Sequence, residues 1–85
     1  MTAAERLTEW GYEDAVIFDN PSYDDALVGV SEDGRAIYDY DKMIICLYVD
    51  GFISIEEAIE FIEYNTIRAL PYVENAPIIL HRLPE

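Results

Sequence analysis

Hydrophobic and polar positions in the second half of the chain alternate with the spacing of a helix. Ser54 and Glu57 stand three residues apart, as in a capping box, where each side chain accepts a hydrogen bond from the other's backbone amide. The pattern predicts an amphipathic helix of about 16 residues that begins there and ends before Pro71. Its apolar stripe consists of Ile55, Ala58, Ile59, Ile62, Thr66, Ala69 and Leu70.

Two segments rich in β-branched residues flank a turn in the middle of the chain. Residues 26–30 and 35–38 are mostly apolar, and residues 31–34 between them end in Asp33-Gly34. An Asp-Gly pair readily adopts the positive φ angles of tight hairpin turns. The pattern therefore predicts a β-hairpin.

Two further apolar segments have the length of short strands. Residues 15–18 are apolar and are followed by residues 19–21, Asp-Asn-Pro, which favour a turn. Residues 77–83 are apolar and rich in β-branched side chains. We predict a short buried strand at the first segment and, at the second, a last strand that joins the hairpin.

Two more helices are predicted, one at the N-terminus and one after the hairpin. Residues 3–10 contain good helix formers, and Gly11 can end that helix. Residues 42–49 are apolar on all sides, so this helix is predicted to be central and buried, with Asp39 or Asp41 as its N-cap. The face of the first helix that is predicted to be buried holds Ala3, Leu7 and Trp10.

These elements follow the order αβββααβ and predict one α+β domain over residues 1–85. We expect a small antiparallel sheet, formed by the hairpin with short N-terminal and C-terminal strands and packed by two or three helices. Apolar residues make up 52% of the chain, far above the content of disordered segments, so the chain is expected to fold.

The net charge of the chain indicates which kinds of partner it can bind. There are 18 Asp and Glu against 5 Lys and Arg, a formal net charge of −13. Such a charge repels nucleic acids and anionic membranes and attracts cationic surfaces. No apolar run is long enough to span a membrane, no signal peptide is recognisable, and Cys46 has no second cysteine to pair with. We expect a cytoplasmic protein.

Residues for catalysis or metal binding are few. His81 is the only histidine, and no Ser-His-Asp or Cys-His set can be assembled around it. The acidic segment 19–25 lacks the ligand spacing of an EF-hand, and no glycine-rich phosphate loop is present. We therefore predict a protein without catalytic activity, cofactor or metal.

The predicted long helix carries glutamates without an intervening lysine. Glu56 and Glu57 are explained by the helix dipole, which favours negative charge in the first turn, but Glu60 and Glu63 are not. We predict that these carboxylates mimic phosphates and occupy the basic surface of a nucleic-acid-binding protein. The candidate partner-binding residues are Glu56, Glu60, Glu63, Asp24, Asp25, Asp39 and Asp41.

In an alternative hypothesis, aromatic residues form the binding surface and the negative charge only keeps the protein soluble. A tyrosine patch would then bind a partner or mediate self-association, and the oligomeric state stays open. Its candidate residues are Tyr38, Tyr40, Tyr64 and Tyr72. The secondary candidates for partner binding are Tyr64, Asn65 and Arg68. These residues also have a structural explanation: Asn65 would form a hydrogen bond to a neighbouring loop, and Arg68 would either cover the Tyr64 ring or complement the helix dipole.

Four segments of the chain carry a resemblance to a known group of proteins: residues 18–26, 29–35, 38–43 and 64–72. They resemble small acidic proteins of bacteria, phages and mobile elements, a group without an assigned activity. The resemblance spans about residues 17–80. Its mobile-element setting implies a role among inhibitors of host defence, which include anti-CRISPR proteins.

Overall fold

A computed structural model describes residues 1–19, 21–51 and 53–84, apart from the side chain of Asp50. The helices and strands are α1 (Ala3–Glu9), β1 (Leu27–Val30), β2 (Ala36–Asp39), α2 (Tyr40–Gly51), α3 (Ile55–Phe61) and β3 (Ile78–Leu80). A 3-10 turn (Asp24–Ala26) precedes β1, and a π-helical turn (Ile62–Thr66) and a 3-10 segment (Ile67–Tyr72) follow α3. The predicted α+β class is confirmed.

The predicted hairpin is confirmed as β1 and β2. The strands are antiparallel, with Leu27 opposite Tyr38 and a bulge before Gly29. In the turn, the Gly34 amide donates to the Ser31 carbonyl at 2.9 Å, and Gly34 has a φ of 86°. Glycine adopts this left-handed conformation at little steric cost, which is why the Asp-Gly pair is a reliable turn signal.

The last strand joins the hairpin as predicted, but in parallel with β2. Ile37 lies opposite Ile78, and the strand order is β1-β2-β3, so the sheet is mixed rather than antiparallel. The helices between β2 and β3 act as a crossover connection, which returns the chain to the sheet in the direction of β2.

Residues 15–18 form no strand, so this prediction is wrong. The Phe18 amide donates to the Tyr38 hydroxyl at 3.3 Å instead of to a strand carbonyl. The Phe18 ring lies 4.6 Å from the Tyr38 ring and 5.7 Å from the Tyr23 ring, measured between centroids. The apolar character of this segment therefore serves aromatic packing against the core.

Helix α1 begins with a Thr2–Glu5 capping box and ends at Glu9. Ala3 and Leu7 are buried as predicted, but Trp10 is 80% exposed. Trp10 lies at the C-cap, with φ −98° and ψ 8°, so the helical spacing that put it on the buried face no longer applies there.

Helix α2 is longer and less buried than predicted. The Lys42 amide donates to Asp39 Oδ1 at 3.1 Å, which confirms Asp39 as the cap. Met43 is fully buried, whereas Ile45 is 57% and Val49 72% exposed. The prediction of a helix buried on all sides is wrong, because one face packs on the sheet and α3 while another faces solvent.

The predicted Ser54–Glu57 capping box is confirmed, and α3 begins there. The helical backbone continues as far as Tyr72, but only its first part is α-helix: a π-helical turn follows Phe61, and Pro71 lies inside the final 3-10 segment instead of after the helix. Ala58, Ile62 and Thr66 of the predicted stripe are buried. Ile55 and Ile59 are exposed, so for these two residues the prediction is wrong. Within the described residues, no helix is long and apolar enough to cross a membrane.

Candidate partner-binding surface

The Asp24 carboxylate contacts the start of α1. Its Oδ1 accepts a hydrogen bond from the Ala3 amide at 2.8 Å. Nearby, the Arg6 guanidinium donates to the backbone carbonyls of Asp24 at 3.4 Å and Leu27 at 3.0 Å. A carboxylate at the first turn of a helix is favoured by the helix dipole. Asp24 thus has a structural role that its sequence context did not reveal.

Asp39 is only 1% exposed, so it is unsuited to a partner-binding surface, and we correct this prediction. Besides capping α2, its Oδ2 forms an ion pair with Arg82 Nε at 2.5 Å. Burial by itself would raise the pKa of Asp39, but the Lys42 amide and Arg82 outweigh it and hold the pKa below its usual value. Asp39 therefore stays ionised in the folded protein and joins the start of α2 to the C-terminal segment.

Glu63 has an internal contact that links the π-helical turn after α3 to α2. The Tyr40 hydroxyl donates to Glu63 Oε1 at 2.9 Å, and the Tyr40 ring lies 4.6 Å from the His81 ring. Sequence reasoning left Glu63 without an explanation because its partner is 23 residues away. Glu63 remains exposed, but its position is now explained by this hydrogen bond.

The environment of Tyr40 raises its pKa to about 12, from an ordinary value of 10.0. Burial is the largest cause, followed by the hydrogen bond to Glu63 and the negative charges of Glu63 and Asp41. Protonated Tyr40 therefore stabilises the fold fully below pH 10.0, and this contribution is lost as the pH rises from 10.0 through about 12.

Replacing Glu63 by glutamine is expected to lower the pKa of Tyr40, because the neighbouring negative charge is removed. The pKa should stay above 10.0, since burial remains. The measurement is an ultraviolet absorbance titration of tyrosinate, in which a Tyr40→Phe spectrum identifies the Tyr40 step. Glu60→Gln is the control and should leave that step unchanged. An unaltered Tyr40 pKa in the Glu63→Gln variant would contradict the contact.

The other predicted acidic residues lie free on the surface: Glu56, Glu60, Asp25 and Asp41 are exposed. Further exposed carboxylates, which sequence reasoning did not single out, belong to Glu9, Glu13, Asp14, Asp19, Glu32 and Glu74. Within the part of the chain that the structure describes, the only ion pair joins Arg82 to Asp39. The exposed negative charge is therefore almost uncompensated by neighbouring cations.

Most cations are directed at internal groups. Arg35 Nε donates to the Ala76 carbonyl at 2.8 Å, and Arg6 donates to the two carbonyls described above. Arg68 lies 4.8 Å from the centroid of the Tyr64 ring, which confirms the predicted cation–π contact. Most of the arginines thus contact groups of the chain itself, whereas most of the carboxylates face the solvent.

The predicted tyrosine patch is not assembled as one surface. Tyr38 is fully buried and Tyr40 is half-buried, whereas Tyr64 and Tyr72 are exposed. The Asn65 side chain donates to the Phe61 carbonyl at 3.2 Å, so it bonds its own helix rather than the neighbouring loop. A patch that includes Tyr38 is therefore excluded, because its ring belongs to the core.

A groove that sequence reasoning missed lies between α2 and a segment that includes Asp19 and residues 21–25. Its apolar part includes Tyr23, Ile45, Leu47 and Val49. Asp19, Asp24 and Asp25 line it as well, together with Pro21, Ser22, Lys42 and Cys46. The groove was missed because α2 was predicted to be buried on all sides. We call it the α2 groove.

The described residues include no group of three or more His, Cys, Asp or Glu side chains that could hold a metal ion. No protein-family model matches this sequence, and the searches of curated proteins and of solved structures found no match either.

Proposed function

We propose that this chain is a non-catalytic binding protein whose acidic surface occupies the basic, nucleic-acid-binding surface of a partner protein. The supporting observation is the distribution of charge: the formal net charge is −13, and among the described residues the one ion pair involves the buried Asp39 and none of the exposed carboxylates. A solvated surface of this kind attracts cationic partners over about 8 Å at physiological salt.

Glu56 and Glu60 are the centre of the proposed surface. They lie four residues apart on α3, a rigid element whose start is fixed by the Ser54–Glu57 capping box. Residues at this spacing are neighbours on a helix, about 5–6 Å apart between Cβ atoms. Carboxylates accept bidentate hydrogen bonds from arginine, as phosphates do. A helix that presents them in a row can therefore take the place of phosphate groups in a basic cleft.

The resemblance to phage and mobile-element proteins supports a narrower proposal about the partner. We propose that the chain inhibits a nucleic-acid-binding protein of host defence, as anti-CRISPR proteins do. Its own negative charge argues against direct binding to DNA or RNA. The partner, and not the nucleic acid, is the target.

The test combines affinity capture with competition by DNA. The tagged chain is used to capture partners, and each captured protein is then measured for binding to a labelled DNA duplex in a series of salt concentrations. We expect the chain to displace the duplex. The variant Glu56→Lys/Glu60→Lys should reduce affinity for the partner by about tenfold or more, and the difference should shrink as salt increases.

The matched control is Glu9→Lys/Glu13→Lys, which makes the same change in net charge on α1 and the turn after it. It should weaken binding much less. Equal loss in both variants would mean that net charge alone drives the interaction. A captured partner whose DNA binding is unaffected by the chain would contradict the proposal.

A second candidate function is favoured by the exposure of Tyr64 and of Tyr72, which is 90% exposed. In this alternative the aromatic residues mediate self-association, and the acidic surface maintains solubility. Sedimentation of the unmodified chain distinguishes the two: concentration-dependent association without a DNA-competing partner would favour the aromatic surface.

A further inference from the structure

We infer that the α2 groove binds a basic amphipathic helix of a partner protein. This inference rests on the proposed function, because both require a cationic partner, but it assigns a different surface and a specific chemistry. The occupant would place apolar side chains against α2 and Lys or Arg side chains beside the aspartates of residues 19–25.

The apolar half of the groove comes from α2. Ile45 and Val49 are exposed and lie four residues apart, so they stand next to each other along one side of the helix. A partner that removes exposed apolar side chains from water gains the hydrophobic contribution to binding. Two adjacent side chains at this spacing form the ridge into which the side chains of a second helix pack.

The acidic half of the groove determines the charge of the occupant. Asp19 and Asp25 are exposed and line the groove, whereas the Asp24 carboxylate is held by the Ala3 amide. Lys42 is the one cation among the described lining residues. This charge pattern favours a cationic occupant and disfavours a second copy of the chain, because two molecules with a net charge of −13 repel each other.

The size of the groove is compatible with several side chains of a partner. Its volume is about 850 Å³, and it is partly open to solvent. A helix in a groove is recognised by side chains spaced three and four residues apart. Ile45 and Val49 form a ridge of four-residue spacing on α2, and a second helix packs its own side chains beside such a ridge, so the proposed occupant is a helix.

The probe is a fluorescein-labelled peptide of leucine and lysine, designed as an amphipathic helix. A second peptide of equal length and charge, with serine in place of leucine, isolates the electrostatic contribution. Fluorescence anisotropy should show that the leucine peptide binds about tenfold more tightly or better. Ile45→Ser/Val49→Ser should remove about tenfold of its affinity, and Asp19→Asn/Asp25→Asn should weaken binding at low salt.

Matched controls are available outside the groove. Ile55→Ser/Ile59→Ser on α3 removes two exposed apolar side chains, and Glu9→Gln/Glu13→Gln removes the same charge as the aspartate variant. Both should change the peptide affinity by less than about twofold. Thermal unfolding followed by far-ultraviolet circular dichroism must show that each variant is folded.

Three results would overturn the inference: equal affinity for the two peptides, equal effects of the groove variants and their matched controls, or a chain that dimerises through Ile45 and Val49. The outcomes also separate this inference from the proposed function. If Glu56→Lys/Glu60→Lys abolishes DNA competition while the groove variants bind the leucine peptide normally, the proposed function stands and the inference fails. If the groove variants lose the peptide while no captured protein is displaced from DNA, the groove stands and the proposed function fails.

Discussion

Replacing Met43 by alanine is expected to lower the free energy of unfolding by about 2–5 kcal/mol. Met43 is fully buried on the inner face of α2, and alanine would leave a cavity that the surrounding side chains can fill only in part. Urea denaturation followed by far-ultraviolet circular dichroism measures the change. Tryptophan fluorescence is a poor probe here, because Trp10 is largely exposed.

Ile45→Ala on the same helix is the control. The Ile45 side chain is more than half exposed, so its loss should change the free energy of unfolding by less than about 0.5 kcal/mol. A large effect of both substitutions would mean that α2 is buried on all sides, as its composition suggested. A small effect of both would mean that Met43 is not part of the core.

Asp39→Ala is expected to lower the free energy of unfolding by about 2 kcal/mol. The substitution removes the N-cap of α2 and the buried partner of Arg82 in a single step. Loss of the N-cap accounts for about 1 kcal/mol of this decrease in the free energy of unfolding. Loss of the ion pair accounts for less than loss of a fully buried pair would, because Arg82 is 58% exposed. The same denaturation experiment measures the sum.

Two further variants separate the contributions of Asp39. Asp39→Asn keeps an oxygen for the Lys42 amide but loses the charge, and Arg82→Gln removes the ion pair but leaves the cap intact. Each should lower the free energy of unfolding by about 1 kcal/mol or less.

The stability difference between the unmodified chain and the Asp39→Asn variant is expected to depend on pH. Because the folded pKa of Asp39 lies below its ordinary value of 3.8, the greater stability of the chain with aspartate is present above pH 3.8. It should be lost as the pH falls through the folded pKa. An advantage that is independent of pH would contradict the ion pair.

Local signals in the sequence predicted local structure well. The Ser54–Glu57 capping box and the Arg68–Tyr64 contact are both confirmed, because each joins residues within one turn of a helix. The hairpin is confirmed for the same reason, since Gly34 fixes a turn between adjacent segments. Physical rules that relate residues three or four positions apart need no knowledge of the rest of the fold.

Features that depend on distant residues were not predictable in this way. Residues 15–18 have the composition of a strand, but the Phe18 amide bonds a tyrosine hydroxyl twenty residues further along the chain. The parallel direction of β3 depends on the path of the helices before it. The exposed face of α2 depends on how many neighbours pack against that helix, which an apolar composition alone does not specify.

In the candidate site, too, local features were predictable from the sequence and features that depend on distant residues were not. Sequence reasoning selected carboxylates by their type and spacing, and Glu56 and Glu60 are indeed exposed on α3. It could not distinguish them from Asp39, because burial and the contact with Arg82 arise only when the C-terminal segment returns to β2. The α2 groove was missed for a related reason: it is formed by two segments that are separate in the sequence.

The position of β3 has a consequence for the order in which the chain can fold during synthesis. β2 is the central strand, and one of its sides is paired by the three described residues of β3, which leave the ribosome after α2 and α3. Until then a nascent chain holds a hairpin with an unpaired edge, the kind of edge that pairs with other chains. The repulsion between strongly acidic chains then acts as protection against aggregation at the stage when the sheet is incomplete.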